Sequence, residues 1–259
     1  MSDDELVRER RGSTLWITLN RPQARNALTF AMYDQLAEAC SKAADEGAKS
    51  IVLIGAGEKA FAAGTDMRQF RAFDTEQDVL NYEQRIDRVL SMVEKCPIPT
   101  IAALSGTCTG GGAGIAAACD IRIATEDLKM GFPIARTLGN CLSIANLSRL
   151  SALIGPARVK EMIFMARLIG AQEAKAVGLI SEIVEDYSSL VERADQLAGV
   201  LADHAPITLK VTKEGLRRLR IDGPAAQDRD LILAAYMSED FREGLEAFLA
   251  KRKPDWKGR

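Results

Sequence analysis

The stretch SGTCTGGGAGIAAACD, Ser105–Asp120, decides how the rest of this chain is interpreted. It follows an apolar run, Pro99–Leu104, that predicts a short buried strand, and it contains a run of small residues, Ile115–Cys119, that predicts a tightly packed helix. Three glycines, Gly110–Gly112, lie where the turn becomes the helix. Glycines let a ligand approach the backbone closely, and the free N–H groups of a helix's first turn carry the positive end of the helix dipole. The stretch therefore predicts a place for an anion, or for an oxygen that becomes anionic during a reaction.

Three interpretations of this glycine-rich stretch compete. It can be a packing device that lets a helix lie close to a sheet. It can be a dinucleotide-binding loop, because Gly112–Ala117 fits G-x-G-x-x-A and Glu126 and Asp127 follow the next strand. The residues Ser105–Thr109 separate the strand from the first glycine of the triplet, however, whereas a dinucleotide-binding loop turns from strand into glycine directly. The third interpretation is an oxyanion hole, which requires a second N–H donor from elsewhere in the chain.

A candidate for that second donor is the segment FAAGTDM, Phe61–Met67. It follows a strand-like run, Ser50–Ile54, and a glycine-containing turn, Gly55–Gly57.

Several separated segments, in the right order, resemble the crotonase (enoyl-CoA hydratase/isomerase) family. They are Asn20–Pro22, Asn26–Leu28, Phe61–Met67, Ala103–Gly112, Ala116–Ala124, Phe241–Gly244 and Ala247–Pro254. The resemblance runs from about Leu15 to Lys257, nearly the whole chain. It implies an α/β fold, a crotonase-like spiral of ββα turns with a helical C-terminal region. A division into a spiral core with the CoA-thioester site, residues 1–200, and a helical trimerisation region, residues 201–259, is expected.

The resemblance also assigns roles to individual residues. The oxyanion hole is formed by the backbone N–H groups of Thr65 and Gly111. The expected substrate-binding residues are Arg25 and Ala27 along the pantetheine and nucleotide arm, Ala63, Asp66 and Met67 near the adenine and thioester, Pro133, Ile134, and the C-terminal pair Phe248 and Lys251. Since the C-terminal end of a crotonase packs on a neighbouring subunit, a homotrimer or a hexamer (dimer of trimers) is expected.

The sequence departs from the family pattern at the acid/base positions. Hydratases of the family use two glutamates for general acid–base chemistry. The resemblance aligns these with Gly114 and Ile134, so this is an atypical member that lacks both catalytic glutamates.

Five other side chains are candidates for the missing proton chemistry, and each can instead have a purely structural or surface role. Asp66 more often caps the following helix, and Cys141, beside Asn140, is more often a structural thiol. Glu83 and Asp87 are equally explained as a solvated helix face. The single histidine, His204, is expected on the surface, so a histidine-based triad is not indicated.

Bulk composition agrees with an ordinary globular protein. Hydrophobic residues make up 47% and charged residues 27% of the chain, and the net charge of −2 gives no reason to expect nucleic acid or an anionic membrane as a partner. No apolar run is long enough for a membrane span, and the first residues do not resemble a secretory leader. The five cysteines are scattered without a C-x-x-C pair, which predicts reduced thiols and no metal site in a cytoplasmic protein.

Periodicity predicts alternating strands and helices up to about Ala124 and mostly helices after Gly139. Thr29 is expected to cap a helix, Arg68–Asp78 to form a mobile lid, and Leu179–Val184 to form a strand. The later helices are predicted at 142–153, 156–166, 188–203, 206–220, 224–235 and 238–250.

Two classes of function follow. The first is an enzyme that stabilises the enolate of an acyl-CoA thioester, with hydratase/isomerase-like chemistry, or a decarboxylase or hydrolase with a different acid/base. The second is a catalytically silent CoA-thioester binder. No cofactor is expected beyond the coenzyme A that is part of the substrate.

Overall fold

A computed structural model describes residues 4–259, which form two β-sheets surrounded by helices. The larger sheet has the order β1-β2-β3-β5-β7-β10, with β1 antiparallel to β2 and the other neighbours parallel. The smaller sheet has the order β4-β6-β8-β9. The strands are β1 Leu6–Arg11, β2 Thr14–Leu19, β3 Ser50–Gly55, β4 Ala60–Ala62, β5 Thr100–Leu104, β6 Thr107–Thr109, β7 Ile121–Thr125, β8 Lys129–Gly131, β9 Ile169–Gly170 and β10 Glu182–Val184.

Ten α-helices connect and cover these sheets. They are α1 Phe30–Lys42, α2 Glu76–Glu94, α3 Gly111–Ala118, α4 Ile134–Thr137, α5 Ile144–Phe164, α6 Ala171–Ala176, α7 Tyr187–Ala202, α8 Pro206–Asp222, α9 Arg229–Tyr236 and α10 Glu239–Leu249 in the described residues, with short 3-10 helices at Pro22–Ala24, Met67–Ala72 and Gly223–Ala225. A strand of the large sheet, a short strand of the small sheet and a helix follow one another in β3-β4-α2 and β5-β6-α3. The predicted α/β fold of ββα turns is therefore confirmed.

The central strands β3 and β5 are buried on both faces, which explains their apolar runs Ile51–Ile54 and Ile101–Leu104. In β3, Ile51 and Leu53 point into the larger core with α1 and α2, whereas Val52 and Ile54 point to the opposite face. There they pack with α7 through residues such as Leu190.

Local signals fix several helix ends where the sequence places them. The Thr29 hydroxyl accepts a hydrogen bond from the Met32 N–H at the start of α1, as predicted. The two predicted helices 142–153 and 156–166 form the single element α5, interrupted at Gly155, whose φ is 75°. Pro156 follows this break and starts the second segment.

Three predictions of secondary structure need correction. The predicted helix 224–235 starts late, because Gly223–Ala225 forms a 3-10 turn and α9 begins at Arg229. The predicted strand Leu179–Val184 is reduced to β10, since only Glu182–Val184 pair with β7. Part of the predicted lid, Arg68–Asp78, lies in the 3-10 helix Met67–Ala72 and part in the first turn of α2.

Candidate active site

Two loops meet at the carboxyl ends of neighbouring parallel strands of the small sheet. Ala63–Thr65 follows β4, and Gly110 and Gly111 follow β6. Gly64 has a φ of 102° and Gly110 a φ of 52°, so both adopt backbone conformations that favour glycine. A Cβ atom on Gly110 would lie 3.4 Å from the Gly64 Cα, so the two backbones are in direct contact. The glycines therefore bring Thr65 and Gly111 together.

Each of these two residues presents an N–H group that has no acceptor within the described chain. Leu28 donates to the Gly64 carbonyl and accepts from the Asp66 N–H, both at 2.8 Å. In this parallel bridge, the N–H of Thr65 must point away from Leu28. Gly111 is the first residue of α3, where an N–H has no intrahelical partner. The pair of donors predicted for the oxyanion hole thus lies in one place.

The two loops form one wall of a cavity of about 270 Å³. Most of its lining is apolar, which suits an acyl chain. The predicted substrate residues Ala63, Met67, Pro133 and Ile134 all line it, together with Phe70, Tyr82, Ile86, Leu90, Phe132, Leu138 and Leu142.

A second, polar recess adjoins this cavity, since Ala63, Thr65 and Met67 line both. Ala27 and Asp66 line the recess, as the predicted substrate arm requires. Arg25 lines neither the recess nor the cavity, although its carbonyl accepts a hydrogen bond from the Ala63 N–H at 3.0 Å.

The structure does not bring the C-terminal pair into the site of the same chain. Phe248 near the end of α10 is 81% exposed, and Lys251 follows in an exposed turn with a φ of 53°. Neither residue lines the cavity or the polar recess.

A chain of three hydroxyl groups is centred on the side chain of Thr65, whose N–H is one of the two donors. The Thr65 hydroxyl is 2.9 Å from the Tyr33 hydroxyl and 3.0 Å from the Tyr82 hydroxyl. Burial raises the pKa of both tyrosines, so both remain protonated at neutral pH. The fully buried Tyr33 has Thr65 as its hydrogen-bond partner, so its O–H donates to Thr65.

We expect Thr65→Val to destabilise the protein by about 1–3 kcal/mol, because it leaves the buried Tyr33 O–H without an acceptor. Urea unfolding measures the change. The double variant Thr65→Val with Tyr33→Phe removes both groups and should recover much of the loss. Equal destabilisation of the single and double variants would contradict this account.

Comparison with known proteins decides the family. The enoyl-CoA hydratase/isomerase family model matches residues 9–259. The chain belongs to this family. It is 34% identical to the 2,3-dehydroadipyl-CoA hydratase of Escherichia coli, over 98% of this chain and 99% of that one, and 32% identical to the short-chain-enoyl-CoA hydratase of Clostridium acetobutylicum, over 98% and 97%. The crystal structure of an enoyl-CoA hydratase from Bacillus anthracis matches with a TM-score of 0.87 at 32% identity, covering 99% of this chain and all of that one.

In this member of the enoyl-CoA hydratase/isomerase family, the two positions predicted to correspond to the family glutamates hold no acid. Gly114 lies in α3 and Ile134 begins α4, and both line the cavity. A Cβ atom on Gly114 would lie 3.2 Å from a methyl carbon of Leu90 on α2. Leu90 therefore fills the space beside Gly114 into which a longer side chain would have to fit.

Asp66, one of the candidate acids, is committed to other contacts. Its carboxylate accepts from the Arg68 backbone N–H at 3.1 Å and forms ion pairs with Arg68 and Arg21. Hydrogen bonds from the Arg68 side chain, followed by those from its backbone and from Arg21, lower the pKa of the Asp66 carboxyl. The predicted capping role is thus observed at the 3-10 helix Met67–Ala72, and the carboxylate is a poor proton acceptor.

The remaining candidates differ in position. Glu83 is the one carboxylate among the residues that line the cavity, and it is half-buried. Asp87, one turn further along α2, does not line the cavity and accepts a hydrogen bond from the Ser143 hydroxyl at 2.6 Å. Cys141 and Asn140 line the cavity from exposed positions. His204 is on the surface, as predicted.

Among residues 4–259, no cluster of three or more His, Cys, Asp or Glu side chains is arranged to hold a metal ion. None of the described helices combines the length and apolar character needed to cross a membrane.

Proposed function

We propose that this chain binds an acyl-CoA thioester and stabilises its enolate in an oxyanion hole formed by the backbone N–H groups of Thr65 and Gly111. The observation that carries the proposal is the juxtaposition of these two unpaired N–H groups at a largely apolar cavity. A thioester oxygen held by both gains negative charge as the α-proton leaves, and donors already in place stabilise that charge. The hydratases among the relatives support the choice of acyl-CoA as substrate class.

The polar recess supports the placement of the coenzyme A arm. Ala27 and Asp66 line it, and Arg25 lies next to it along the chain. In the proposal the acyl chain occupies the apolar cavity, near Met67 and Ile134, while the arm leaves through the recess.

The exposed apolar residues of the last two helices support assembly into a homotrimer or a hexamer. They include Tyr236, Met237, Phe241, Leu245, Phe248 and Leu249, each more than 40% exposed. An exposed surface of this kind is typical of a subunit interface. In the proposed assembly, Phe248 and Lys251 approach the coenzyme A bound to a neighbouring copy.

Hydratase/isomerase-like chemistry requires an acid/base, and the proposal includes the absence of both family glutamates. Gly114 and Ile134 support that absence. They also favour a second candidate function, a catalytically silent CoA-thioester binder. A carboxylate lining the cavity, Glu83, favours the enzyme, whether hydratase, isomerase, decarboxylase or hydrolase.

The test is the exchange of α-protons of butanoyl-CoA in D₂O, followed by NMR, together with the hydration of crotonyl-CoA. Exchange or hydration above that of the protein-free solution supports the enzyme. Calorimetric binding of both thioesters without exchange or turnover supports the silent binder. Binding of neither thioester would contradict both functions.

A further inference from the structure

We infer that Glu83 is the catalytic base of this site and exchanges a proton with the α-carbon of the bound thioester. The inference rests on the proposed function. It deepens that function by assigning the proton transfer to a residue of α2 in place of the two absent family glutamates.

The first argument is position along α2. Glu83, Ile86 and Leu90 are three and four residues apart, a spacing that puts them on one face of the helix. All three line the cavity, together with Thr65 and Gly111. Glu83 and the two residues that carry the N–H donors therefore border the same space.

The second argument is the lack of a partner. Glu94, on the same helix, forms ion pairs with Arg149 and Arg220 at 3.0 and 2.6 Å. Glu83 forms no ion pair or side-chain hydrogen bond with any of residues 4–259, although it is half-buried. A carboxylate that is partly removed from water without a partner costs stability, so its retention in the cavity wall suggests a task there.

The third argument is electrostatic. Burial raises the pKa of the Glu83 carboxyl, and the negative charge of Asp87 raises it further. A general base works best when its pKa approaches the working pH. The environment of Glu83 thus moves its pKa toward that range, whereas the environment of Asp66 moves the pKa of that carboxyl away from it.

The proposed step balances without any co-reactant. The Glu83 carboxylate takes a proton from the α-carbon, the C–H bond breaks, and its electron pair moves into the enolate. The N–H groups of Thr65 and Gly111 stabilise the charge on the thioester oxygen. Glu83, now a carboxylic acid, returns a proton to the α-carbon, or to the γ-carbon when the substrate is a 3-enoyl thioester. One carboxylate is sufficient for this shift of a double bond, whereas hydration also requires activation of water.

The deciding variant is Glu83→Gln, which keeps the size of the side chain and removes the base. We expect α-proton exchange of butanoyl-CoA to fall on the order of 100- to 10,000-fold. Binding of butanoyl-CoA should be retained. Glu76→Gln, the same change at an exposed site of α2, is the matched control and should exchange like the wild type.

The outcomes separate this inference from the proposed function. Exchange by the wild type that persists unchanged in Glu83→Gln would overturn the assignment of Glu83 and leave the enolate-stabilising function intact. Binding without exchange by the wild type would overturn both the enzyme and its base, while CoA-thioester binding would stand. Absence of binding would overturn the proposed function and the inference with it.

The unfolding temperature and the pH dependence of the exchange rate distinguish a catalytic base from a residue with a structural role. Glu83→Gln should unfold at or above the wild-type temperature at pH 7, because it removes a half-buried charge that has no partner.

Titratable groups near Glu83 are Asp87 on the same helix, the hydroxyls of Tyr33 and Tyr82, and Cys141 across the cavity. Asp87→Asn removes a charge that raises the Glu83 pKa. The pH range over which the exchange rate rises should therefore shift to lower pH. If the pH profile of exchange does not shift in Asp87→Asn and Glu83→Gln is destabilised, the assignment of Glu83 as the base is overturned.

Discussion

Gly111→Ala is expected to lower α-proton exchange of butanoyl-CoA on the order of 100- to 1,000-fold, the usual loss when one oxyanion donor is displaced. A Cβ atom at this position would lie 1.8 Å from the Tyr33 hydroxyl oxygen and 3.1 Å from the ring carbon that carries it. Tyr33 is fully buried and is held by Thr65, so the helix start must move instead. The exchange rate measures the displacement, and urea unfolding measures the accompanying strain, about 1–3 kcal/mol.

The same geometry supplies a rescue and a control for this prediction. Tyr33→Phe removes the oxygen that the new Cβ meets, so Gly111→Ala combined with Tyr33→Phe should regain part of the stability and of the exchange rate. Gly112→Ala meets the Ala62 carbonyl oxygen at 2.5 Å, a backbone atom, and Tyr33→Phe should not rescue it. A Gly111→Ala variant that exchanges protons like the wild type would show that the Gly111 N–H is not part of the proposed oxyanion hole.

The long strands and helices could be predicted from the sequence because their signals are local. Runs such as Ile51–Ile54 are apolar at every position because both faces of the strand are buried. Helix starts such as Thr29 carry their own cap. The small sheet was not predicted, since strands of two or three residues show no period and are stabilised by pairing with distant partners.

The small sheet, which was not predicted, also explains the spacing of the glycine-rich stretch. The residues between β5 and Gly110 argued against a dinucleotide-binding loop, and Thr107–Thr109 among them form β6. This extra strand carries the chain from the large sheet to the small one. It thereby places Gly111 beside Thr65, a contact that follows from the pairing of β4 with β6 and not from any local motif.

The side chains around Thr65 and Gly111 illustrate what the sequence could not predict. Tyr33 and Tyr82 are 32 and 17 residues from Thr65, and no spacing rule connects them. Glu83 was a candidate, but a helix period does not distinguish a carboxylate that lines a cavity from one in solvent. The distinction depends on what packs above α2, including the loop that contains Cys141 and Leu142.

The Asp66 carboxylate is expected to contribute more to stability than any surface acid of this chain. Its side chain and that of Arg21 are each only 8% exposed, and they are 2.9 Å apart. Asp66→Ala leaves the buried guanidinium with fewer partners, an effect that typically costs about 3–5 kcal/mol. Arg21 keeps its ion pair with Glu5, so the lower end of that range is expected in urea unfolding at pH 7.

Asp34→Ala is the matched control, because Asp34 also contacts two arginines, Arg85 and Arg88, but is 44% exposed. Exposed pairs of this kind contribute about 0–1 kcal/mol.

The folded-state pKa of Asp66 is depressed, so its stabilisation is present above the unfolded-state pKa and is lost as the pH falls through the folded-state value. The difference in stability between the wild type and Asp66→Asn should therefore narrow on acidification. A difference that stays constant with pH, or an Asp66→Ala variant no less stable than Asp34→Ala, would show that the ion pairs around Asp66 do not stabilise the loop that carries Thr65.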